Sequence, residues 1–226
     1  MKKGLLVFSA ALLAAGLLFF GCDGGAGVAS APFVPQYAIG DIGPGGGIVF
    51  YVADGQDGRP LGFTVQGYGT PGEGLGFASY TAHYLEATPH ESQGVWPHWS
   101  DEGTEVPGIS TFSSDSDPLY TMIGNGRKDT LTIAAYLDDN DQEDMAAHRA
   151  IAVTHGGKND WFLPSVGEFN LFYPQRLLPG IYYIDGNYWT SSQSGSLAWG
   201  WIHETNAMIS NWAKHSYGQV RPIRAF

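Results

Sequence analysis

Tryptophan is the residue type in this chain with the most direct potential for ligand contact. Flat rings can stack on the apolar face of a sugar, and six tryptophans are available for such a surface: Trp96, Trp99, Trp189, Trp199, Trp201 and Trp212. The same rings bury large apolar areas, so they can instead form the core of a loop-rich domain. We expect Trp161 and Trp189 in the core. For Trp96, Trp99 and Trp201 both interpretations stay open.

A ligand-binding surface is predicted from the polar loop 88–118 and the strand region 193–216. These two segments hold most of the candidate tryptophans and one candidate histidine. The predicted contacts are aromatic or basic: His98, Trp99, Trp199, Trp201, Trp212 and Arg221.

An acidic run at residues 138–144 carries the hard oxygen ligands that calcium prefers. Its spacing does not fit an EF-hand, because counting from Asp138 puts glutamate at the sixth position and arginine at the twelfth. We interpret the run as a solvated loop between helices. Calcium bound in another way is the alternative, with Asp138, Asp139 and Asp141 as candidate ligands. Residues 115–117 are a weaker candidate of the same kind. No cofactor is otherwise expected.

Catalytic motifs are absent from the sequence. The stretch Gly43–Gly47 has no Gly-Lys-Ser/Thr ending, so it is interpreted as a tight turn before a strand and not as a phosphate loop. Neither HExxH nor GxSxG occurs. The chain is therefore expected not to be an enzyme. An enzyme that uses carboxylates with a histidine such as His98 or His203 stays as an alternative.

Local patterns predict the elements that must position these residues. Two short strands, Ile48–Val52 and Leu61–Val65, come first. Helical patterns follow at Thr130–Leu137 and at about Glu143–Thr154. A capping box, Ser165 to Glu168, opens a third helix. Short antiparallel strands are predicted for the rest: Tyr188–Ser191, Leu197–His203, Ala207–Trp212 and Gln219–Arg224. This order of elements predicts an α+β domain.

The charge of the chain is negative and unevenly distributed. Its 226 residues have a net charge of −11, which argues against nucleic acid as a partner. Residues 23–160 hold 19 acidic and five basic side chains, whereas residues 161–226 are close to neutral. Within this second part, Arg221 and Arg224 can contact a ligand or form structural ion pairs. The acids predicted to pair with them are Asp160 and Glu168.

The N-terminus has the pattern of an export signal. A basic start precedes an apolar run, Leu5–Phe20, which is shorter than the roughly 20 residues of a membrane span. The run ends at Gly21-Cys22, which resembles a bacterial lipoprotein signal. This resemblance implies that residues 1–21 are removed and that Cys22, the single cysteine, carries lipid such as palmitate. An ordinary secretory peptide or an uncleaved anchor is the alternative. Residues 22–35 are then the lipidated cysteine and a flexible tether, and 36–226 form one domain.

An ordered set of short motifs resembles the Lcl C-terminal domain family of bacterial surface lipoproteins and adhesins. The motifs extend over residues 39–226: IGD with GPGGGIVFY, YLEA, IGNG, DT, DWFLPS, YWTSS and VRPIRAF. The resemblance implies a C-type-lectin-like fold, with two to three helices, a small loop-rich antiparallel sheet and neighbouring termini. The adhesin that gives the family its name binds sulfated glycans. The present chain lacks the Glu-Pro-Asn and Gln-Pro-Asp triplets of calcium-dependent lectins, and its acidity argues against a polyanionic ligand.

The sequence therefore predicts a lipid-anchored, non-enzymatic binding protein of the cell envelope. The membrane is contacted through the lipid, at the outer membrane or cell surface in preference to the periplasmic face of the inner membrane. The predicted ligand is a glycan, or a host or envelope protein. A structural envelope lipoprotein without a small ligand is the alternative, besides an enzyme on the same scaffold.

Overall fold

The computed structural model describes residues 33–89, 96–101, 103–181 and 186–226. The predicted signal peptide, Cys22 and most of the predicted tether lie outside these residues. A compact unit spans Phe33–Phe226, so the last three residues assigned to the tether belong to it. Phe33 stacks on His83 with ring centroids 4.0 Å apart. Across the described ranges, no helix has the length and apolar character that a membrane crossing requires.

Three α-helices form the helical part of the described chain: α1 (Gly126–Asp138), α2 (Ala146–Ile151) and α3 (Val166–Phe172). Two short 3-10 turns lie at Pro118–Tyr120 and Tyr173–Gln175. The capping box at the start of α3 is confirmed, because the Glu168 N–H donates to Ser165 Oγ and the Ser165 N–H donates to Glu168 Oε2. α2 is shorter than its sequence pattern indicates.

In the described part of the chain, eight short strands form three sheets: β1 (Ile48–Val52), β2 (Phe63–Val65), β3 (Tyr80–Ala82), β4 (Tyr84–Ala87), β5 (Tyr188–Ser194), β6 (Leu197–Ile202), β7 (Ala207–Ala213) and β8 (Ile223–Ala225). The strand orders are β1-β4-β8, β2-β3 and β5-β6-β7, and every pair is antiparallel. The fold class is therefore α+β, as predicted. The sequence patterns missed β3 and β4. The strand expected over Gln219–Arg224 is regular only from Ile223.

Two hydrophobic clusters make most of the core. The first packs the β1-β4-β8 sheet against α3, with Phe50 in an edge contact with Phe172 at 5.3 Å. The second lies between α1, α2 and the β5-β6-β7 sheet and contains Trp99, Leu137 and Trp189. Burying a large apolar side chain contributes about 1.5–3 kcal/mol. These clusters fix the relative positions of the two larger sheets.

The glycine-rich turn before β1 surrounds the carboxylate of Glu86 on β4. The Gly45 N–H donates to Glu86 Oε1 at 3.0 Å, and the Gly47 N–H donates to Oε2 at 3.0 Å. The Arg224 guanidinium donates to the same carboxylate at 2.9 Å and to Asp160 at 2.6 Å. The turn predicted for Gly43–Gly47 is thus present, and its N–H groups are used by an internal anion. The predicted Arg224–Asp160 ion pair is confirmed.

Candidate functional site

Five of the seven tryptophans are buried in the described structure. Trp161 and Trp189 lie in the core, as predicted, and Trp99, Trp199 and Trp201 are buried with them. A sugar-stacking surface needs exposed ring faces, so these three do not form the predicted surface. The rings are held by specific contacts that span the sequence: the Trp99 indole N–H donates to the Thr190 carbonyl at 2.9 Å, across 91 residues.

Trp99 fixes the start of the loop that was predicted to contact ligand. The Lys214 ammonium lies 4.1 Å from the centroid of its ring, and the Trp99 N–H donates to the Lys214 carbonyl at 2.8 Å. On its other side, the Ala146 N–H donates to the His98 carbonyl at 2.8 Å, which ties the loop to α2. Trp99 is therefore a positioning residue for the surface around it.

Trp212 and Arg221 are also poorly placed for ligand contact. Trp212 is half-buried and stacks on Trp189 with centroids 3.5 Å apart. Arg221 is fully buried and donates to the carbonyls of Thr88 at 2.9 Å and Ile181 at 3.2 Å. A guanidinium enclosed in this way joins chain segments and is closed to solvent, so its prediction as a ligand contact is not supported.

His98 lies in a small aromatic surface. Its ring lies 4.4 Å from the ring of Tyr217, which is 68% exposed. Trp96, two residues before His98, is 49% exposed. The segment between them is held by the Pro97 carbonyl, which accepts from the Gly218 N–H and from the Trp189 indole. His98 and Trp96 thus keep the surface position that a ligand contact needs, and Tyr217 joins them without any signal in the sequence.

A polar groove lies along β7. Its volume is about 420 Å³. One wall is β7, and the other is the segment that leads into the 3-10 turn at Pro118–Tyr120. The lining residues are Ser113, Ser114, Asp115, Tyr120, Trp199, Met208, Ile209, Ser210 and Asn211. The groove therefore joins the two segments from which a ligand-binding surface was predicted. Among the six predicted contact residues only Trp199 lines it, with a ring that is almost fully buried.

The β7 wall owes its polarity to a β-bulge. The pairing shifts between Ala198–Trp212 and Gly200–Ile209, so two residues of β7, Ser210 and Asn211, face the single residue Trp199 of β6. A bulge re-aims side chains that would otherwise alternate between the faces of a sheet. Since four consecutive residues of β7 line the groove, its backbone edge borders the groove as well.

The opposite wall is held by an aromatic cluster. Trp199 stacks on Phe112 at 4.9 Å, its indole N–H donates to the Phe112 carbonyl at 2.8 Å, and Tyr120 meets its edge at 5.6 Å. Asp117 caps the 3-10 turn by accepting the Leu119 N–H at 2.9 Å. The buried rings thus place exposed hydroxyl groups beside an aromatic floor.

The carboxylates with shifted pKa values lie outside the groove. Burial raises the pKa of Glu168 to about 7, against the opposing effect of the N–H donors of Ser165, Gly124 and Gly126. Burial likewise raises the pKa of Asp129 to about 6, with Ser110 lowering it. Neither acid lines a described cavity, so their geometry is that of internal capping groups.

The predicted calcium ligands do not converge. Asp138 lies 3.2 Å from His148 Nε2, Asp139 ends α1, and Asp141 has a left-handed φ of 56°. In the described ranges there is no group of three or more His, Cys, Asp or Glu side chains arranged to hold a metal ion. Calcium stays a prediction without a preformed site.

Comparison with family models, with curated proteins and with solved structures gives no match for this chain.

Proposed function

We propose that the chain is a lipid-anchored binding protein of the cell envelope, and that the groove along β7 holds a glycan. In this proposal the domain is C-type-lectin-like and belongs to the Lcl C-terminal domain family, and it binds without catalysing a reaction. The observation that carries the proposal is the convergence of polar side chains beside an aromatic floor in one groove.

The lining of the groove matches the chemistry of a sugar. The hydroxyl groups of Ser113 and Ser210 both donate and accept hydrogen bonds, and Asn211 offers two donors and an acceptor. A sugar ring needs donors and acceptors at its edge and an apolar surface for its face, which Tyr120 supplies. The volume falls within the range of roughly 300–1,000 Å³ that is usual for small-molecule sites.

The arrangement of the chain ends supports the lectin-like assignment. The two ends of the described domain lie close together, because the rings of Tyr37 and Phe226 lie 5.5 Å apart in an edge contact. The small antiparallel sheets and three helices agree with the fold that the resemblance implies. A tether of residues 23–32 joins Phe33 to the predicted lipid at Cys22.

A glycan array tests this proposal. The full chain in detergent is applied to the array in calcium and again in chelator. Binding of at least one glycan is expected in both conditions, because the groove needs no metal. The double variant Ser210→Ala/Asn211→Ala should lose this binding, since it removes the polar side chains of the bulge.

The matched control is Ser196→Ala, which changes an exposed serine in the turn between β5 and β6. It should bind as the unchanged chain does. Circular dichroism must show that both variants are folded. A folded chain that binds no glycan would contradict the proposal, as would equal binding by the bulge variant. Binding that is present in calcium and lost in chelator would indicate that the binding site lies in the acidic loops.

A further inference from the structure

The groove along β7 has an asymmetric charge. Among the described residues that line it, Asp115 is the single charged side chain, and no lysine, arginine or histidine is present. Asp117 adds a second carboxylate two residues further on, at the cap of the 3-10 turn. The chain as a whole has a net charge of −11. Both the local and the overall field therefore favour a cationic ligand and oppose an anionic one.

Asp115 has its charge available. It is exposed and has no ion-pair partner among the described residues. Its neighbours are already occupied with each other, because the Ser114 and Ser116 hydroxyls are hydrogen-bonded at 2.7 Å and the Ser116 N–H donates to Ser114 Oγ. This local network holds the turn. The Asp115 carboxylate takes no part in it.

From these observations we infer that the groove selects an amine-bearing glycan, of the glucosamine type, over its acetylated and sulfated counterparts. The inference rests on the proposed function and specifies the ligand of the same site. The sugar ammonium donates charge-assisted hydrogen bonds to Asp115, while the ring hydroxyls pair with Ser210 and Asn211. An acetamide lacks the charge, and a sulfate is repelled by the carboxylate.

The size of the preference follows from Coulomb's law. An ammonium about 4 Å from an exposed carboxylate, in a dielectric close to that of water, changes affinity about fivefold. Salt at about 0.15 M screens part of this interaction, since the Debye length is then about 8 Å. We therefore expect a roughly three- to fivefold preference that shrinks as salt is added.

Titration calorimetry on the full chain in detergent tests the inference with three matched probes. These are tetramers of β-1,4-linked glucosamine and of N-acetylglucosamine, and a heparin tetrasaccharide. The pH is about 6, where the sugar amine is protonated and an aspartate is ionised. The glucosamine tetramer should bind about fivefold more tightly than the acetylated one, and heparin should bind least. Asp115→Asn should abolish the difference.

The control variant is Asp139→Asn, which removes an exposed carboxylate at the end of α1, outside the groove lining. It should leave the preference unchanged. Equal losses in both variants would show unspecific attraction to an acidic protein and would overturn the inference. So would equal affinity for the two tetramers, or stronger binding of heparin.

Two further outcomes separate the inference from the function beneath it. If a neutral glycan binds in a manner that depends on Ser210 and Asn211, but Asp115→Asn changes nothing, the inference fails and the glycan groove stands. If no tetramer binds and the array is also silent, both fail. A tetralysine peptide that binds as tightly as the glucosamine tetramer would assign the groove to basic peptides and overturn the inference.

Discussion

The carboxylate of Glu86 offers the sharpest test of how this fold is held together. Glu86 is fully buried on β4 and accepts hydrogen bonds from Gly45, Gly47 and Arg224. We predict that Glu86→Ala is among the most destabilising single substitutions in the domain. The reason is that three donors from two distant parts of the chain lose their shared acceptor at once.

The expected magnitude follows from the contacts that are lost. Each buried N–H without a partner costs about 1–3 kcal/mol, so the two glycine donors contribute about 2–6 kcal/mol. Breaking a buried ion pair costs about 3–5 kcal/mol, but Arg224 keeps Asp160 as a partner and loses only part of this. We expect a loss of about 4–6 kcal/mol. Domains of this size have unfolding free energies of about 5–15 kcal/mol, so the variant should be near the limit of folding.

Urea unfolding of the chain with Cys22→Ser, followed by circular dichroism, measures this loss. Glu86→Gln keeps the shape and one acceptor oxygen, so it should lose about 1–3 kcal/mol. Asp160→Asn removes the other ion-pair partner of Arg224. The side chain of Asp160 is 24% exposed, so this variant should lose about 1 kcal/mol of unfolding free energy or less. A loss below about 1 kcal/mol for Glu86→Ala would refute the assignment of the glycine turn as an internal carboxylate site.

Four other predictions follow from the same geometry. The contribution of Glu168 to the unfolding free energy should fall by about 3 kcal/mol as pH rises from about 4.5 to about 7, because burial raises its pKa to about 7 and the folded state prefers the protonated form. Urea titrations at several pH values should therefore show a flatter profile for Glu168→Gln, and an unchanged slope would contradict this. Trp99→Phe loses the hydrogen bond to the Thr190 carbonyl, so it should lower the unfolding free energy by about 1–3 kcal/mol, measured by urea unfolding. Gly45→Ala places a Cβ 2.6 Å from a carboxylate oxygen and should cost about 1–3 kcal/mol or more in the same assay; a stability equal to that of the parent chain would count against the turn geometry. Cells grown with labelled palmitate should label the parent chain and leave Cys22→Ser unlabelled, whereas equal labelling of the variant would argue against a lipid at Cys22.

The elements predicted correctly from the sequence are those specified by neighbouring residues. The run that forms β1 and the capping box at Ser165 need no distant partner to be recognised. β4 was missed because it contains a glutamate that is buried like its apolar neighbours. An acidic residue in a sequence pattern argues against a buried strand unless its hydrogen-bond partners are known. The partners of Glu86 lie 39 to 138 residues away in the sequence.

The candidate site was predicted in its segments and missed in most of its residues. Whether a tryptophan is core or surface depends on acceptors such as the Thr190 and Phe112 carbonyls, which no local pattern reveals. Ser210 and Asn211 lie together on the groove wall because of a bulge, and the register of two strands decides a bulge. Among the six predicted contacts, His98 kept a surface position and Trp199 lines the groove as a buried ring.

The position of β8 sets when this domain can fold. β8 pairs with β4, and the bond between Arg224 and Glu86 closes a loop of 138 residues. At a synthesis rate of about 5–20 residues per second, roughly 7–28 s pass between the synthesis of β4 and that of β8. During this interval the Glu86 carboxylate and the glycine turn have been made, but Arg224, whose guanidinium balances the charge of Glu86, has not. The β1-β4-β8 sheet is therefore completed only after residues 223–225 have been made.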